Sequence, residues 1–518
     1  MKRVIFGCAL VILSCFCLFA YAEDSDFVED PANHGERIVG DKKYFGMNHT
    51  GHTYARDYIV KNPRTTKPKP GPIPLVKTDS THQECFGWTE DQRASNWIYP
   101  PAQPRVAVVG DTIHIVWKQQ FYSKFTHSEV CYVRSADGGL SWSDSILLSV
   151  TDGVESIRPE IVAKHDNVYV VWEDWTSMDW GGIYFRKSTD GGTTWQEITP
   201  VALRGVDDYA YYCPTIAVRD SEIYVAYNRN DGLEGSLRFK KSLDAGDSWE
   251  SEVIVSDTPE TGHWLKLSMN PAGLHISHEA GLRIYYNRST DWGDTWSDDV
   301  FISDMENSAA QWPSIGADEN GGVYITWFDY KYSPYPWTGD IFLRRSTDNG
   351  VSWDSIMVLT DNHLCDESDI CADESSVLTV WRDERYGDPD FEIYGRRSND
   401  LGTSWQPEQN LSNAPYQSYN PRVIAYSDWV HMVWVDARDM HGDAFYKRGT
   451  WYLRGDTNRD RIINVIDIVY LINYLFIGGP SPLIFDSGDV NDDNQVNVVD
   501  IVYLINYLFG GGPPPAEC

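Results

Sequence analysis

Short runs of β-branched and aromatic residues, separated by polar turns, recur along the middle of the chain. One clear unit has three such runs, at residues 159–162, 168–174 and 183–186. Enrichment of these residue types in runs this short predicts strands rather than helices. The same three-run unit occurs seven times between about residues 104 and 450. The periodicity therefore predicts a large all-β repeat domain.

An eight-residue motif, Ser-x-Asp-x-Gly-x-x-Trp, follows the third run in six of these units. Its copies are spaced by about 47 to 57 residues, the length of one four-stranded propeller blade. The aspartate can accept backbone N–H bonds in a tight turn, the glycine supplies a positive φ, and the tryptophan can pack on the blade. We therefore interpret the motif as structural. The copies begin at Ser135, Ser188, Ser242, Ser289, Ser346 and Ser398.

These octets resemble the Asp-box (BNR) repeats of the sialidase superfamily. The resemblance implies a sialidase-like β-propeller, with the boxes on the face away from the active site. The seventh unit lacks both an octet and a fourth run, so closing the ring requires a strand from the N-terminal side, before Pro104. We predict seven blades, and six blades, the number in sialidases, is the alternative.

If the octets lie on one face, the segments before each first strand and after each second strand lie on the other. That site face includes Trp312 and residues 263–266. By resemblance, a sialidase site would contain three arginines, a tyrosine nucleophile with a glutamate partner, and an aspartate as acid/base catalyst. Arg105 and Arg422 follow a proline whereas Arg158 precedes one, so the arginines do not share a register. The candidate residues are Arg105, Arg158, Arg422, Glu155, Tyr416, Tyr419, Asp174 and Asp383.

The formal net charge of -33 argues against nucleic acid and anionic membrane as partners, because both would be repelled. Aspartates on the predicted site face favour a neutral glycan over an anionic sugar for the same reason. The leading interpretation is a propeller that degrades or recognises glycans or polysaccharides. The alternative is a non-catalytic glycan- or protein-binding propeller or a surface-layer component. Whether the propeller is an enzyme stays open; as an enzyme it would be a glycoside hydrolase, sialidase-like or another O-glycosyl hydrolase.

From Asp456 the chain repeats itself with an offset of 33 residues. Oxygen-bearing side chains occupy positions 1, 3, 5, 9 and 12 of two loops, and position 7 offers its backbone carbonyl, as in calcium loops. Each loop leads into nearly the same apolar helix, which ends at glycine and proline. The predicted Ca²⁺ ligands are Asp456, Asn458, Asp460, Ile462, Asn464 and Asp467 in the first loop, and Asp489, Asn491, Asp493, Gln495, Asn497 and Asp500 in the second.

The two loop–helix units resemble a type I dockerin domain over residues 455–513. The resemblance implies calcium-dependent docking to a cohesin-like domain or a cell-surface scaffold. Where such loops usually carry glycine, this chain has Arg461 and Asn494, and we expect strain at the arginine. The positions that help to choose a cohesin carry Val465-Ile466 and Val498-Val499, which suit an apolar partner.

The first 22 residues have the features of a signal peptide: a basic start, an apolar run and the small-x-small site Ala20-Tyr21-Ala22. Lipoprotein processing at Ser14-Cys15 is the alternative. We predict a secreted, extracellular protein, with or without attachment to the cell surface, and no membrane span after cleavage. Residues 23–103 are predicted to be an N-terminal segment and linker whose last part supplies the closing strand, and the propeller to span 104–450.

Six cysteines remain after cleavage of the signal peptide. In an oxidising compartment they favour a few accessory disulfides. Cys365 and Cys371 are near enough in sequence to pair locally, although spacing alone does not establish a bridge.

Overall fold

The computed structural model of the protein describes residues 27–29, 36–39, 42–45, 85–95, 101–122, 126–175, 181–203, 210–230, 235–258, 261–304, 309–333, 339–361, 364–387, 390–438, 442–460 and 462–516. The predicted signal peptide lies outside the described residues. Near the N-terminus, three short strands form an antiparallel sheet of their own, in the order β1 (Phe27–Glu29), β2 (Glu36–Val39) and β3 (Lys42–Phe45).

Two short strands, β4 (Cys85–Trp88) and β5 (Gln92–Arg93), come next, and six sheets of four consecutive antiparallel strands follow them. Blades 1 to 3 are β6 (Pro101–Val109), β7 (Thr112–Tyr122), β8 (Thr126–Ser135), β9 (Ile146–Leu147); β10 (Ser156–Lys164), β11 (Asn167–Asp174), β12 (Gly182–Ser188), β13 (Thr199–Ala202); and β14 (Ala210–Arg219), β15 (Glu222–Asn230), β16 (Gly235–Ser242), β17 (Val253–Ser256). Blades 4 to 6 are β18 (Thr261–Asn270), β19 (Gly273–Ala280), β20 (Arg283–Ser289), β21 (Val300–Phe301); β22 (Ala310–Ala317), β23 (Val323–Asp329), β24 (Asp340–Ser346), β25 (Met357–Val358); and β26 (Cys365–Ala372), β27 (Val377–Asp383), β28 (Glu392–Ser398), β29 (Gln409–Asn410).

Blade 7 takes its strands from both ends of the propeller. Its first three strands are β30 (Ser418–Tyr426), β31 (Trp429–Asp436) and β32 (Asp443–Tyr452). Its outer edge is the N-terminal strand β4, which pairs with β32 from Gly449 to Tyr452, while β5 pairs further along the same strand. The prediction of seven blades is confirmed and the six-blade alternative is wrong. The seventh blade lacks an octet because its outer strand comes from elsewhere in the chain.

The second strand of a blade is buried along most of its length, which explains its β-branched and aromatic composition. In five blades it carries a tryptophan with 0% exposure: Trp117, Trp172, Trp327, Trp381 and Trp434. Octet tryptophans instead pack edge-on against an aromatic ring of the preceding blade. Five such pairs are Trp142–Tyr446, Trp195–Tyr132, Trp249–Phe185, Trp296–Phe239 and Trp353–Tyr286. These aromatic residues therefore hold the blades together and are not available to a ligand.

Each octet forms the same hydrogen-bonded turn. In all six, the serine hydroxyl donates to the aspartate Oδ1 at 2.7–2.8 Å. The same hydroxyl accepts the N–H of the octet glycine at 2.7–2.9 Å. In the second copy, hydrogen bonds from Thr194 and Ser188 lower the pKa of Asp190 to about 2. The repeated carboxylates thus act as fixed acceptors in turns, which agrees with a structural role.

The C-terminal module is helical and follows blade 7. Its helices are α1 (Val465–Ile472), continued by a π-helical turn at Asn473–Ile477, α2 (Phe485–Gly488) and α3 (Val498–Gly510). Capping boxes begin α1 and α3, with an asparagine at the N-cap and an aspartate three residues later. The predicted small all-α domain is confirmed. Asn494 has φ 62°, as expected for a glycine-like loop position, while Arg461 lies outside the described residues.

Cys365 and Cys371 are both buried, and no disulfide joins them. The Cys365 thiol donates to Asp383 Oδ2 at 3.3 Å instead. Cys85, in the strand that closes the ring, is disulfide-bonded. Among the described residues, no helix is long and apolar enough to cross a membrane.

Candidate functional site

The first strand of every blade is interrupted by a β-bulge at the corresponding position along the strand. Because the first strand starts at the face opposite the octets, the bulge places its residues towards that site face. In six blades the bulged residue has a φ of 52–54°, a left-handed conformation that side chains rarely adopt. We call these residues the bulge ring: Gln103, Arg158, Cys213, Trp312, Glu367 and Asn420.

The strained bulges are held by side chains of the preceding blade. The N–H of Arg158 in blade 2 donates to Gln103 Oε1 in blade 1 at 3.2 Å. Gln103 donates its own N–H to Asn420 of blade 7 at 3.0 Å, and Asn420 donates to Glu367 of blade 6 at 2.7 Å. Further bonds of this kind run from Cys213 to Glu173 at 3.2 Å and from Trp312 to Glu279 at 3.3 Å. The site face is therefore built by contacts that cross from blade to blade.

The three candidate arginines occupy two different levels. Arg105 and Arg422 lie two residues after the bulge in neighbouring blades, where the first strands surround the propeller axis. Arg105 donates from Nε to Glu160 at 2.6 Å, and Lys266 of blade 4 reaches the same carboxylate at 2.5 Å. Arg158 lies in the bulge ring instead. The structure thus separates Arg158 from the other two, as the register of the prolines suggests.

Asp174 and Asp383 share one arrangement at the end of a second strand. Each accepts a hydrogen bond from the indole two residues earlier in the chain, at 3.1 Å for Asp174 and 3.3 Å for Asp383. Asp436 repeats it at 3.0 Å in blade 7. Asp383 also pairs with Arg385 at 2.6 Å. An arrangement present in several blades indicates that these aspartates order the strand ends.

The remaining candidates lie around the same face but in different blades. Glu155 precedes the first strand of blade 2, and its carboxylate lies 3.7 Å from Lys118 Nζ in blade 1. Tyr416 and Tyr419 precede the bulge of blade 7, and both are half-buried. Tyr416 has φ 68°. The predicted glutamate and tyrosines are thus positioned by separate blades.

A contiguous group of aromatic and charged side chains crosses the centre of this face. The Arg158 guanidinium lies 5.5 Å from the ring of Trp264 in blade 4 and donates to Glu173 at 2.6 Å. Trp264 meets Trp312 of blade 5 edge-on, with ring centroids 6.4 Å apart. Both indoles are half-buried, unlike the tryptophans in the second strands. We call Arg158, Glu173, Trp264, Glu279 and Trp312 the tryptophan site.

Glu279 is the most perturbed carboxyl group of the tryptophan site. It is 5% exposed, and its Oε2 accepts the N–H of Trp312. Burial raises the pKa of Glu279 to about 8, against the opposing effect of that hydrogen bond. The carboxyl group is therefore protonated at neutral pH and can donate a proton. The sequence predicts Trp312 on this face but carries no signal for Glu173 and Glu279, which look like ordinary strand ends.

A buried ion-pair cluster flanks the bulge of blade 6. Arg382 makes two hydrogen bonds to Asp366, at 2.7 and 2.5 Å, and lies 3.6 Å from Glu367. All three side chains are at most 6% exposed. Although burial opposes the charge, these carboxylates raise the pKa of Arg382. The cluster thus fixes the blade 6 end of the bulge ring.

A cleft of about 860 Å³ lies between the outer strands of blades 6 and 7. Trp88, Tyr386, Arg385, Glu408 and Lys447 are among its lining residues. It opens at the circumference of the ring, whereas the tryptophan site lies near the axis. The cleft and the tryptophan site are therefore separate features.

The two C-terminal loops have nearly the same geometry. Asp467 at position 12 accepts the N–H groups of Thr457 and Asn464, each at 2.8 Å. Asp500 accepts the corresponding N–H groups of Val490 and Asn497, also at 2.8 Å. These bonds tie the start of each loop to the aspartate at its end.

The ligand chemistry of the loops fits Ca²⁺, because every donor is a carboxylate, amide or carbonyl oxygen. Within the described ranges, no group of three or more His, Cys, Asp or Glu side chains is placed to hold a metal. Amide oxygens, such as that of Asn458, and the carbonyl of Ile462 would therefore have to contribute to a Ca²⁺ site in the first loop. The corresponding residues would do so in the second.

Comparison with protein families matches one part of the chain. Residues 454–509 match the model of the dockerin type I domain. No curated protein matches the chain.

Similar solved structures include a protein of unknown function from Dyadobacter fermentans, at 14% identity over 71% of this chain and 99% of that chain, with a TM-score of 0.46. A Hadza microbial sialidase is 14% identical over 64% and 74% of the two chains, at 0.39. The GH93 alpha-L-arabinofuranosidase of Fusarium graminearum is 11% identical over 70% and 97%, at 0.43. At identities of 11–14% and TM-scores of 0.39–0.46, these similarities support no conclusion beyond the strand order described above. The chain is thus a seven-bladed β-propeller followed by a dockerin type I domain at residues 454–509.

Proposed function

We propose that the protein recognises a neutral glycan at the tryptophan site and is held outside the cell by its dockerin domain. The observation that carries the first part is the half-exposed pair Trp264 and Trp312 at the centre of the site face. Indole rings stack against the C–H face of a sugar, and the neighbouring charged groups can accept and donate hydrogen bonds to hydroxyls. Export with removal of residues 1–22 belongs to the same proposal, as do the domain bounds at 104–450 and 455–513.

The charges around the tryptophan site favour a neutral ligand. Glu173 already neutralises Arg158, and Glu367 lies in the same bulge ring. Arg105, two residues after the bulge of blade 1, is paired with Glu160, so it does not offer an unpaired guanidinium to a sugar carboxylate. With a formal net charge of -33, the chain would also repel an anionic polymer at long range.

Replacing Trp312 by alanine is expected to weaken glycan binding by about tenfold or more, because a stacked aromatic anchor contributes at least about 1.4 kcal/mol. Binding of the full chain to neutral polysaccharides such as arabinan, xylan and β-glucan, and to sialyllactose, measures this by calorimetry. Trp292→Ala is the matched control, since that half-buried tryptophan belongs to an octet on the opposite face. Equal affinity of Trp312→Ala and the unchanged protein for every bound glycan would refute the site.

A second candidate function, glycan hydrolysis, is favoured by the protonated state of Glu279. A neutral carboxyl next to an aromatic platform suits a general acid, and Glu173 is the carboxylate that would serve as its partner. The pKa of about 8 means that the acid is present below that pH and is lost above it.

Glu279→Gln is therefore expected to reduce release of reducing ends by about 100-fold or more while glycan binding is retained. Activity of the unchanged protein should fall as the pH rises through about 8. Assays on the same polysaccharides and sialosides test both points, with Glu374→Gln, an exposed glutamate of blade 6, as control. Glycan binding without turnover by the unchanged protein would establish the non-catalytic alternative.

The dockerin domain implies a cohesin partner, and we propose that two Ca²⁺ ions order its docking surface. Half of the exposed large apolar side chains in the described part of the chain belong to this small module. An exposed apolar patch of this kind marks a protein interface. Its members include Val465, Ile466 and Val469 on α1, and Val498, Val499 and Val502 on α3, which are 49–58% exposed.

A further inference from the structure

The helical module is joined directly to the last blade. Strand β32 ends at Tyr452, and the first loop begins at Asp456, so only residues 453–455 connect them. Gly455, with φ 94°, donates its N–H to Ser487 inside the module at 2.8 Å. A Cβ at this glycine would lie 3.1 Å from Leu504. The module therefore packs where the blade stops, without a spacer.

An apolar contact joins the segment between the two loops to the strand that closes the ring. Ile484 is 1% exposed and forms a buried cluster with Cys85 of β4 and Tyr452 of β32. Trp429 of β31 packs against the same cluster. A Cβ at Gly87 would lie 2.6 Å from Ile484 Cγ2, so the close approach requires glycine in the closing strand.

The fourth position of each calcium loop faces the propeller side. In the first loop this residue is Arg459, with φ 63°, whose guanidinium lies 4.1 Å from the Trp429 ring. In the second loop it is Asp492, with φ 60°, which lies 3.0 Å from Arg454 in the connecting segment. Arg454 also donates to the carbonyl of Asp489, the first ligand position, at 2.7 Å. In each loop, the residue between the predicted ligands at positions 3 and 5 thus lies at the junction with blade 7.

We propose that the calcium-loaded module is a latch on ring closure, which holds β4 against β32 through Ile484, Arg459 and Asp492. Strand β4 pairs with β32 over four residues, from Cys85 to Trp88, and β5 adds two further pairs at Gln92 and Arg93. Ordering of the loops sets the conformations of Arg459 and Asp492, and these residues and Ile484 contact blade 7 and the connection that follows it. Calcium binding and closure of the propeller are therefore linked equilibria, so each stabilises the other.

Amide hydrogen exchange of the full chain tests the latch. With calcium present, amides at 85–88 are expected to be protected; with EDTA their exchange should accelerate, by up to about 100-fold relative to calcium at 100 times its dissociation constant. Residues 253–256, the outer strand of blade 3, serve as the internal control and should not respond. Unchanged exchange at 85–88 on chelation overturns the proposal.

Two variants separate the latch from calcium binding itself. Gly87→Ala should displace Ile484 and accelerate exchange at 85–88 in calcium, while the helical circular dichroism of the module is retained at saturating calcium. Because the two equilibria are linked, the same variant should also weaken calcium binding, by no more than the effect of calcium on exchange at 85–88. Arg459→Gln removes the contact with Trp429 without changing any predicted ligand, so it remains informative if Gly87→Ala does not fold. Val469→Asn, on the exposed face of α1, is the control. If both junction variants leave exchange at 85–88 unaltered, the latch is refuted even if calcium binds.

Discussion

Arg382→Met is expected to destabilise the propeller by about 3–5 kcal/mol, because it leaves buried carboxylates without their cation. Asp366 and Glu367 are 2% and 4% exposed, and Arg382 contacts both. Methionine fills much of the same volume, so the cost is electrostatic rather than a cavity. Urea denaturation of the full chain, monitored by tryptophan fluorescence, measures the change in free energy of unfolding.

The cost of Arg382→Met should depend on pH with a definite sign. Burial raises the pKa of Asp366 to about 7 even with Arg382 beside it, and removal of the guanidinium raises this pKa further, so the penalty grows as the pH rises through about 7. The loss should therefore be smaller at about pH 5 than at about pH 8. Lys241→Met is the matched control: its partners Asp294 and Glu250 have side chains 66% and 46% exposed, and loss of that pair should cost about 0–1 kcal/mol. A comparable cost for both variants contradicts the prediction.

Chelation of calcium is expected to abolish the helical signal of the dockerin domain. Its core consists of five buried side chains, from Ile468, Leu471, Val490, Ile501 and Leu504, which are too few to stabilise a fold alone. Without a cation, the carboxylates grouped in each loop also repel one another. The free energy of calcium binding therefore drives folding of the domain. EDTA should remove the far-ultraviolet signal of α1 and α3 while the propeller stays folded.

Ligand variants make the calcium prediction specific. Asp460→Ala and Asp493→Ala each remove one carboxylate, and the double variant should show no helical signal even in excess calcium. Both aspartates are exposed, so neither substitution opens a cavity. Asp298→Ala, an exposed aspartate of blade 4, should have no effect. Circular dichroism of the full chain that is insensitive to EDTA would exclude a calcium-dependent fold.

The repeat architecture could be predicted because its signals are local. Each octet contains its own serine, aspartate and glycine, and the turn forms from bonds within those residues. The two C-terminal loops are equally local, because the predicted Ca²⁺ ligands of each are spaced along twelve residues. Seven similar strand units were therefore enough to predict seven blades, even though one lacked an octet.

The tryptophan site could not be predicted because it is built from bonds between blades. Glu173 and Glu279 have no distinguishing motif, and their roles arise from the N–H groups of Cys213 and Trp312 in the next blade. Nor does a proline before or after an arginine reveal a left-handed residue such as Arg158. The docking of Ile484 on Gly87 is also non-local, since about 400 residues separate them in the chain.

The origin of the closing strand has a consequence for the order of synthesis. Thr89, just after β4, bonds to Arg448, which lies 359 residues later. A chain that is synthesised from its amino end must therefore keep an unsatisfied strand edge until Arg448 and its neighbours have been made. Premature termination before Tyr452 would leave two sheet edges unpaired, that of β4 and that of the last blade formed. Incomplete chains should therefore aggregate rather than persist as smaller rings.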